Sequence, residues 1–333
     1  MTKEMTLTER ITLMVKLGAY INENSEEWQM VKDNAVHANP WFTEEHVALA
    51  TANIAREFLQ EDKLKQWMKG YTMPYKLCKV GIVMAGNIPM VGFHDLLCGF
   101  MSGHDLLLKL SSKDEVLMKH IVQWMVTNAH GLASRIIISD RLNGCDAYIA
   151  TGSNNTARYF EQYFSKFPHI IRRNRTSVAV LDGTETDEDI LKLGEDVYSY
   201  YGLGCRNVTQ LCVPEGYNFE RLLNVLSRFD RYADFNKYKN NYDYHLAIYL
   251  LNRVPYMSNA SLLMVENPLP FSAVSVLHYR YYADKTTLAE ELEKSEDIQA
   301  IVGRDFLPFG SSQQPALSDY ADGVDTMQFL CNL

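Results

Sequence analysis

A chain of 333 residues with 47% hydrophobic and 22% charged side chains can bury a sizeable core, and its length suggests two domains. A formal net charge of -9 argues against a nucleic-acid partner, because proteins that grip a phosphate backbone carry a basic face that displaces counterions.

The opening stretch MTKEMTLTERITLMVKLGAYI has neither the unbroken apolar core nor the small-residue cleavage site of a secretion signal. No later stretch reaches the length of a membrane span, so a cytoplasmic protein is expected. Residues 5 to 70 read as helical: TEEHVALATANIAREFLQEDKLKQWM offers Thr43 as an N-cap, glutamates in the first turn and apolar residues at helical spacing. After Pro74 the pattern changes. CKVGIVMA (78–85) is a short apolar strand closed by Gly86, and FHDLLCGFMSG is a helix stopped by glycine. DLLLKLSS (105–112) is a second strand, KDEVLMKHIVQWMVTNAHG a helix, RIIISD a third strand and CDAYIATGS a fourth, followed by the helical NNTARYFEQYFSKF.

The alternation then repeats. SVAVLDG (177–183) is a strand, DEDILKLGEDVYSYYG a helix and NVTQLCV a strand, so Cys205 falls on a helix-to-strand connection. Helical stretches at 218–233 and about 238–252 follow, then the strand AVSVLHYRYYAD, the helix TTLAEELEKS and an irregular tail containing FLPFGSSQQPALSDYADG. Strands alternating with helices predict α/β architecture with parallel sheets covered on both faces, where ligands gather at the carboxyl ends of the strands. The expected division is 1–173 for the N-terminal helices with a first α/β domain, 174–310 for a second carrying Cys205, and 311–333 for a C-terminal tail. Six cysteines, at 78, 98, 145, 205, 212 and 331, form no CxxC pair or repeated spacing, which predicts thiols rather than a zinc site or a disulfide framework; no metal site is expected.

Three stretches stand at predicted strand ends: AGNIP after the first, KLSS at the second and ATGS at the fourth. Together with the glycine-flanked Cys205 they resemble, in the same chain order, the aldehyde dehydrogenase superfamily, over about residues 75 to 213. There an Asn-containing turn, a Lys-Pro-Ser-Glu-like segment, a Thr-Gly-Ser at a helix start and a nucleophilic cysteine follow one another. Within that superfamily GLGCRNVTQL, ATGSNNTARYF, SVAVLDG and FGSSQQPALSDYADGVDTMQFL are most similar to the acyl-CoA reductases related to the fatty acid reductase of bacterial bioluminescence. The resemblance implies an aldehyde-dehydrogenase-like fold of two parallel-sheet α/β domains behind an N-terminal helical segment. It also implies reduction of a fatty acyl thioester, carried by CoA or a carrier, to an aldehyde with NADPH.

By resemblance, Cys205 carries the acyl group, while the Asn87 amide and the Cys205 backbone N–H hold the oxyanion; the small neighbours Gly202 and Gly204 let substrate approach the backbone, and Arg206 lies next to the thiol in sequence. Lys109 matches the lysine that bonds the adenosine ribose, within a segment that includes Ser111, and Gly152 with Ser153 presents a helix start to the pyrophosphate. Where the parent family often has a glutamate that repels a ribose 2′-phosphate, this chain has Ser112 and Lys113, which favours NADP(H). A second departure lies in HIIRRNRT: the parent's water-activating glutamate has no counterpart among 169–176. An acyl-cysteine without that base resists water, leaving a thiol or a hydride as productive exits. Glu266 is the weakest match, to a glutamate that holds the nicotinamide ribose.

Alternatives remain at this stage. One is a cysteine-dependent acyltransferase or thioesterase using a histidine such as His169 or His245; another is an aldehyde-oxidising dehydrogenase, which the missing glutamate disfavours. A binding subunit without turnover is a third. A homo-oligomer and an acyl-transfer partner enzyme are both compatible with the sequence.

Overall fold

The structure, a computed structural model, describes residues 5–333; the first four residues of the N-terminal stretch lie outside it. The chain forms two compact units, one running to Asn174 and joined by Pro315–Leu333, the other spanning Arg175–Gln314.

The first unit opens with helices α1 (Leu7–Glu23), α2 (Glu26–Ala38), α3 (Glu44–Glu57) and α4 (Glu61–Met68). Their starts follow from local chemistry. The Thr6 hydroxyl accepts the Glu9 N–H at 3.3 Å while the Glu9 carboxylate accepts the Thr6 N–H at 2.7 Å, and Thr43 accepts the His46 N–H at 3.2 Å. Next come β1 (Lys79–Val83), α5 (Phe93–Ser102), β2 (Asp105–Lys109), α6 (Glu115–Asn128), β3 (Ile136–Ile138), β4 (Ala147–Thr151), α7 (Asn154–Phe164) and β5 (His169–Arg172). The strands make a parallel sheet in the order β3-β2-β1-β4-β5, with Val83 level with both Lys109 and Ala150. Ile82, Leu106, Leu108 and Ile149 are almost wholly buried with Leu17, Trp28, Leu64 and Ile121 in one core, as a sheet covered on both faces requires.

The second unit contains β6 (Thr176–Val180), α8 (Asp187–Tyr198), β7 (Val208–Pro214), α9 (Phe219–Leu226), α10 (Asn236–Asn252), β8 (Met257–Ser258), β9 (Leu263–Glu266), β10 (Val276–Tyr282), α11 (Lys285–Glu293) and β11 (Ile298–Val302). Its sheet runs β11-β6-β7-β10-β9-β8, parallel except for the antiparallel β8 at the edge.

The α/β architecture with two parallel sheets behind a helical segment agrees with the sequence reading. Four strands escape that reading. β5 carries arginine and histidine on an edge, β8 has only two residues, and β9 and β11 are apolar runs too short to separate from coil. The final residues also do more than a tail would. Helix α12 (Thr326–Cys331) buries Met327 and Leu330 completely in the first unit's core, Trp67 donates to the Tyr320 hydroxyl at 2.8 Å, and Tyr71 donates to Asp325 at 2.9 Å. Arg172, only 3% exposed, binds Asp95 of α5 and donates to the Thr326 hydroxyl at 2.8 Å, so β5, α5 and α12 share one buried ion pair. Among the described residues no helix is long and apolar enough to cross a membrane, and no group of three or more His, Cys, Asp or Glu side chains could hold a metal ion.

Candidate active site

In the first sheet the chain steps from β1 through β2 to β3 on one side, then resumes at β4 on the other. A doubly wound sheet opens its ligand crevice where the strand order reverses, at the carboxyl ends of β1 and β4. Asn87 follows β1 in the turn before α5, and Gly152 and Ser153 follow β4. Lys109 ends β2 with its side chain exposed, and its carbonyl accepts the Met84 N–H at 3.0 Å, tying the two strand ends together. Ser111, Ser112 and Lys113 continue from there.

Ser153 caps the eleven-residue helix α7, its hydroxyl accepting the Thr156 N–H at 3.3 Å. A β-carbon at Gly152 would meet Thr156 Cβ at 3.0 Å and the Phe160 ring at 3.1 Å, so glycine is what lets the strand end this close to the helix. The result is a helix N-terminus at the switch point, with Lys109 at the neighbouring strand end. This donor set suits an anionic dinucleotide.

Cys205 lies in the second unit, on the connection from α8 to β7. Helix α8 stops at Tyr198, and Tyr200 (φ 52°), Tyr201 (φ 57°) and Gly202 (φ 75°) then turn the chain in the left-handed region. Glycine takes that conformation freely, whereas each tyrosine there costs about 1–2 kcal/mol. Packing offsets this: both tyrosines are buried, and Tyr201 stacks on Phe235 with centroids 4.5 Å apart and meets Tyr232 edge-on at 5.5 Å.

Beyond this turn the loop is pinned by Asn207, which is wholly buried. Its side-chain oxygen accepts the Gly204 N–H at 2.8 Å, and its amide donates to the carbonyls of Ser199 at 2.7 Å, Asp196 at 3.1 Å and Val197 at 3.4 Å. One side chain thus satisfies the orphan carbonyls at the end of α8 and holds the residue before Cys205. The Ser177 hydroxyl of β6 donates to the Cys205 carbonyl at 3.1 Å. Asp196 is held in turn by the Gly310 N–H at 2.7 Å and the Ser312 N–H at 3.0 Å, and burial pushes its carboxyl up to about 6 against those bonds.

The Cys205 residue is half-buried. Burial pushes the thiols of Cys98, Cys145 and Cys212 up, and that of Cys331 up to about 11, which keeps these four away from the thiolate form. Cys205 falls on a helix-to-strand connection, as the sequence reading has it. Asn87, Lys109, Gly152 and Ser153 stand at carboxyl ends, whereas Cys205 stands at the amino end of β7, beside the amino end of β6. The sequence puts Ser177 and Asn207 at the heads of two strands and carries no signal for the distant groups their side chains meet.

Glu266 is the exposed last residue of β9. The loop behind it is fixed by Gln210, whose amide donates to the carbonyls of Asn267 at 2.9 Å and Leu269 at 3.1 Å. His169 is exposed on the edge strand β5, with Nδ1 2.8 Å from the Phe167 carbonyl, and His245 lies on α10 with its pKa lowered by burial. The stretch from 169 to 176, without a carboxylate, is β5 and the passage into β6; Arg172 is engaged by Asp95 and Arg175 donates to the Ile298 carbonyl at 3.2 Å.

The amino-acid sequence matches no protein-family model and no curated protein. Its three-dimensional structure is similar to that of an NAD-dependent aldehyde dehydrogenase from Sinorhizobium meliloti, with a TM-score of 0.65 at 12% identity over 90% of this chain and 70% of that one. An NADP-dependent enzyme from E. coli gives a TM-score of 0.67 at 12% identity, covering 90% of this chain and 73% of that one. Aldehyde dehydrogenase 21 from Physcomitrella patens, in complex with the reaction product succinate, gives 0.66 at 12% identity, covering 90% and 74%. The chain has the aldehyde-dehydrogenase-like fold.

Proposed function

We propose that this protein is an oxidoreductase of the aldehyde dehydrogenase type that reduces a fatty acyl thioester to an aldehyde, with NADPH as reductant and Cys205 as acyl carrier. The observation that carries the reading is the Cys205 loop: a half-buried cysteine with its carbonyl and the preceding residue pinned by Ser177 and Asn207, in a fold whose solved relatives include dehydrogenases. The aldehyde-dehydrogenase-like fold supports an oxidoreductase of this type; the acyl substrate, the bioluminescence-related family and the choice of NADPH over NADH rest on the sequence resemblance.

The Cys205 thiolate forms a bond to the acyl carbon, and the thioester C–S bond breaks as the departing thiolate takes a proton. In this reading the Asn87 side-chain amide and the Cys205 backbone N–H donate to the oxyanion that forms between those events. Lys109, Ser111, Ser112, Lys113, Gly152, Ser153 and Glu266 would hold NADPH, which supplies the hydride when bound. With a hydride so supplied, the bond between the acyl carbon and Cys205 would break, releasing aldehyde and restoring the Cys205 thiolate. The lack of a carboxylate at 169–176 supports an acyl-cysteine that outlasts water.

The test is NADPH absorbance on addition of acyl-CoA of several chain lengths, with mass spectrometry of the protein. The expected result is cofactor consumption and an acyl adduct on Cys205, both absent in Cys205→Ala, which keeps its cofactor affinity. Thiol release with NADPH untouched would instead favour an acyltransferase or thioesterase, and absence of both adduct and turnover would favour a binding subunit. A cytoplasmic location and a homo-oligomer or acyl-transfer partner belong to the same proposal.

A further inference from the structure

Asp114 stands at the N-cap position of α6, where an aspartate ordinarily accepts an N–H of its own helix. It makes no such bond. Its Oδ2 reaches instead across to the turn after β1, accepting the Met90 N–H at 2.7 Å, while Oδ1 is buried without a hydrogen-bond partner. Met90 is itself held in the left-handed region (φ 55°), a conformation an unbranched side chain adopts only when its surroundings over-determine it.

The two segments touch a second time. A β-carbon on Gly86 would lie 2.5 Å from the Ser111 hydroxyl and 3.1 Å from Asp114 Cβ, so the turn rests directly on the segment after β2. That segment is closed on itself by the Asp114 N–H to the Ser111 carbonyl at 3.0 Å and the Lys113 N–H to the Ser111 hydroxyl at 3.3 Å. From outside, the buried Asn39 donates to the Lys113 carbonyl at 2.9 Å.

We propose that Asp114 is a positioning residue that locks the Asn87 turn to the Ser111–Lys113 segment, so that the oxyanion donor and the cofactor's ribose end are set by one buried side chain and move together. This deepens the functional reading above and rests on it for the roles of the two segments. The geometry explains why an aspartate forgoes its helix cap: the Met90 N–H has no place in α5 or β1, and an unsatisfied buried donor is costly. Burial pushes the Asp114 carboxyl well above its usual range, against the Met90 bond that lowers it. Asparagine has the same shape and keeps a side-chain oxygen to accept the Met90 N–H.

The experiment compares Asp114→Asn and Asp114→Ala with the parent protein in three measurements: hydrogen exchange of the 86–92 and 109–114 amides, NADPH affinity, and the rate at which acyl-CoA loads Cys205 without cofactor. Asp114→Ala is expected to speed exchange in both segments, and to weaken NADPH and slow loading by about tenfold each, whereas Asp114→Asn restores all three. Gly86→Ala provides an independent variant that leaves the carboxyl intact: altered on the turn alone, it is expected to weaken NADPH by a similar factor. The proposal is overturned if exchange changes in one segment only, if affinity falls with loading unchanged, or if Gly86→Ala binds NADPH as the parent does. Should the parent neither bind NADPH nor load Cys205, the functional reading falls, and the exchange result alone still decides whether Asp114 couples the segments.

Discussion

Removing the side chain of Asn207 is the most direct test of how the candidate nucleophile is held. Asn207→Ala leaves the buried Gly204 N–H without its acceptor and the Asp196 and Ser199 carbonyls without their donor, three bonds of 2.7–3.1 Å; the 3.4 Å contact to Val197 adds little. At about 1–1.5 kcal/mol for each lost bond the second unit loses about 3–5 kcal/mol, a large part of the 5–15 kcal/mol that typically holds a domain. Asn207→Asp should be at least as harmful, because a carboxylate keeps the Gly204 bond but sets negative oxygen against helix-end carbonyls that need a donor. The sequence makes the assay selective. All four tryptophans, at 28, 41, 67 and 124, lie in the first unit, so their emission follows that unit. Near-UV circular dichroism adds the buried Tyr198, Tyr201, Tyr232 and Tyr238 of the second unit, so a transition in it that tryptophan emission lacks belongs to that unit. Urea titrations read by both signals should show the loss in the tyrosine transition, together with faster alkylation of Cys205 as its loop loosens. A tyrosine transition shifted by less than about 1 kcal/mol, with unchanged alkylation, would refute the view that Asn207 is the clamp.

Asp196 gives a pH signature. Its folded-state pKa of about 6 lies above the ordinary 3.8, so the folded protein holds the proton more tightly. The stabilisation is therefore fully present below about pH 4 and lost as pH rises through about 6, a change of about 3 kcal/mol. Asp196→Asn should flatten this part of the stability profile measured by denaturant titration between those limits. Arg172→Ala should destabilise the first unit by about 3–5 kcal/mol in tryptophan-detected unfolding, since it strands the buried Asp95 carboxylate; Arg172→Met with Asp95→Leu should recover most of the loss. Lys109→Ala should chiefly weaken NADPH, by about tenfold in a fluorescence titration, and unchanged affinity would remove Lys109 from the proposed cofactor site.

Local chemistry explains how much of this was legible in advance. The helix start at Thr43, the apolar parallel strands, and the Asn87, Lys109 and Ser153 positions at strand ends all follow from near-neighbour patterns of period two or 3.6 and from caps within three residues. The clamps do not. Asn207 to Ser199, Ser177 to Cys205, Asp114 to Met90 and Arg172 to Thr326 span from 8 to 154 residues, and a polar side chain in a sequence does not reveal which distant carbonyl or N–H it will meet. Residue order alone was enough to specify most of the alternation, though not β5, β8, β9 or β11, and the chemical types offered at the ends of the strands it showed. Which of those polar groups became buried partners, and that Pro315–Leu333 close the first unit's core, was settled by packing, because only a folded interior makes an unpaired polar group costly enough to select its mate.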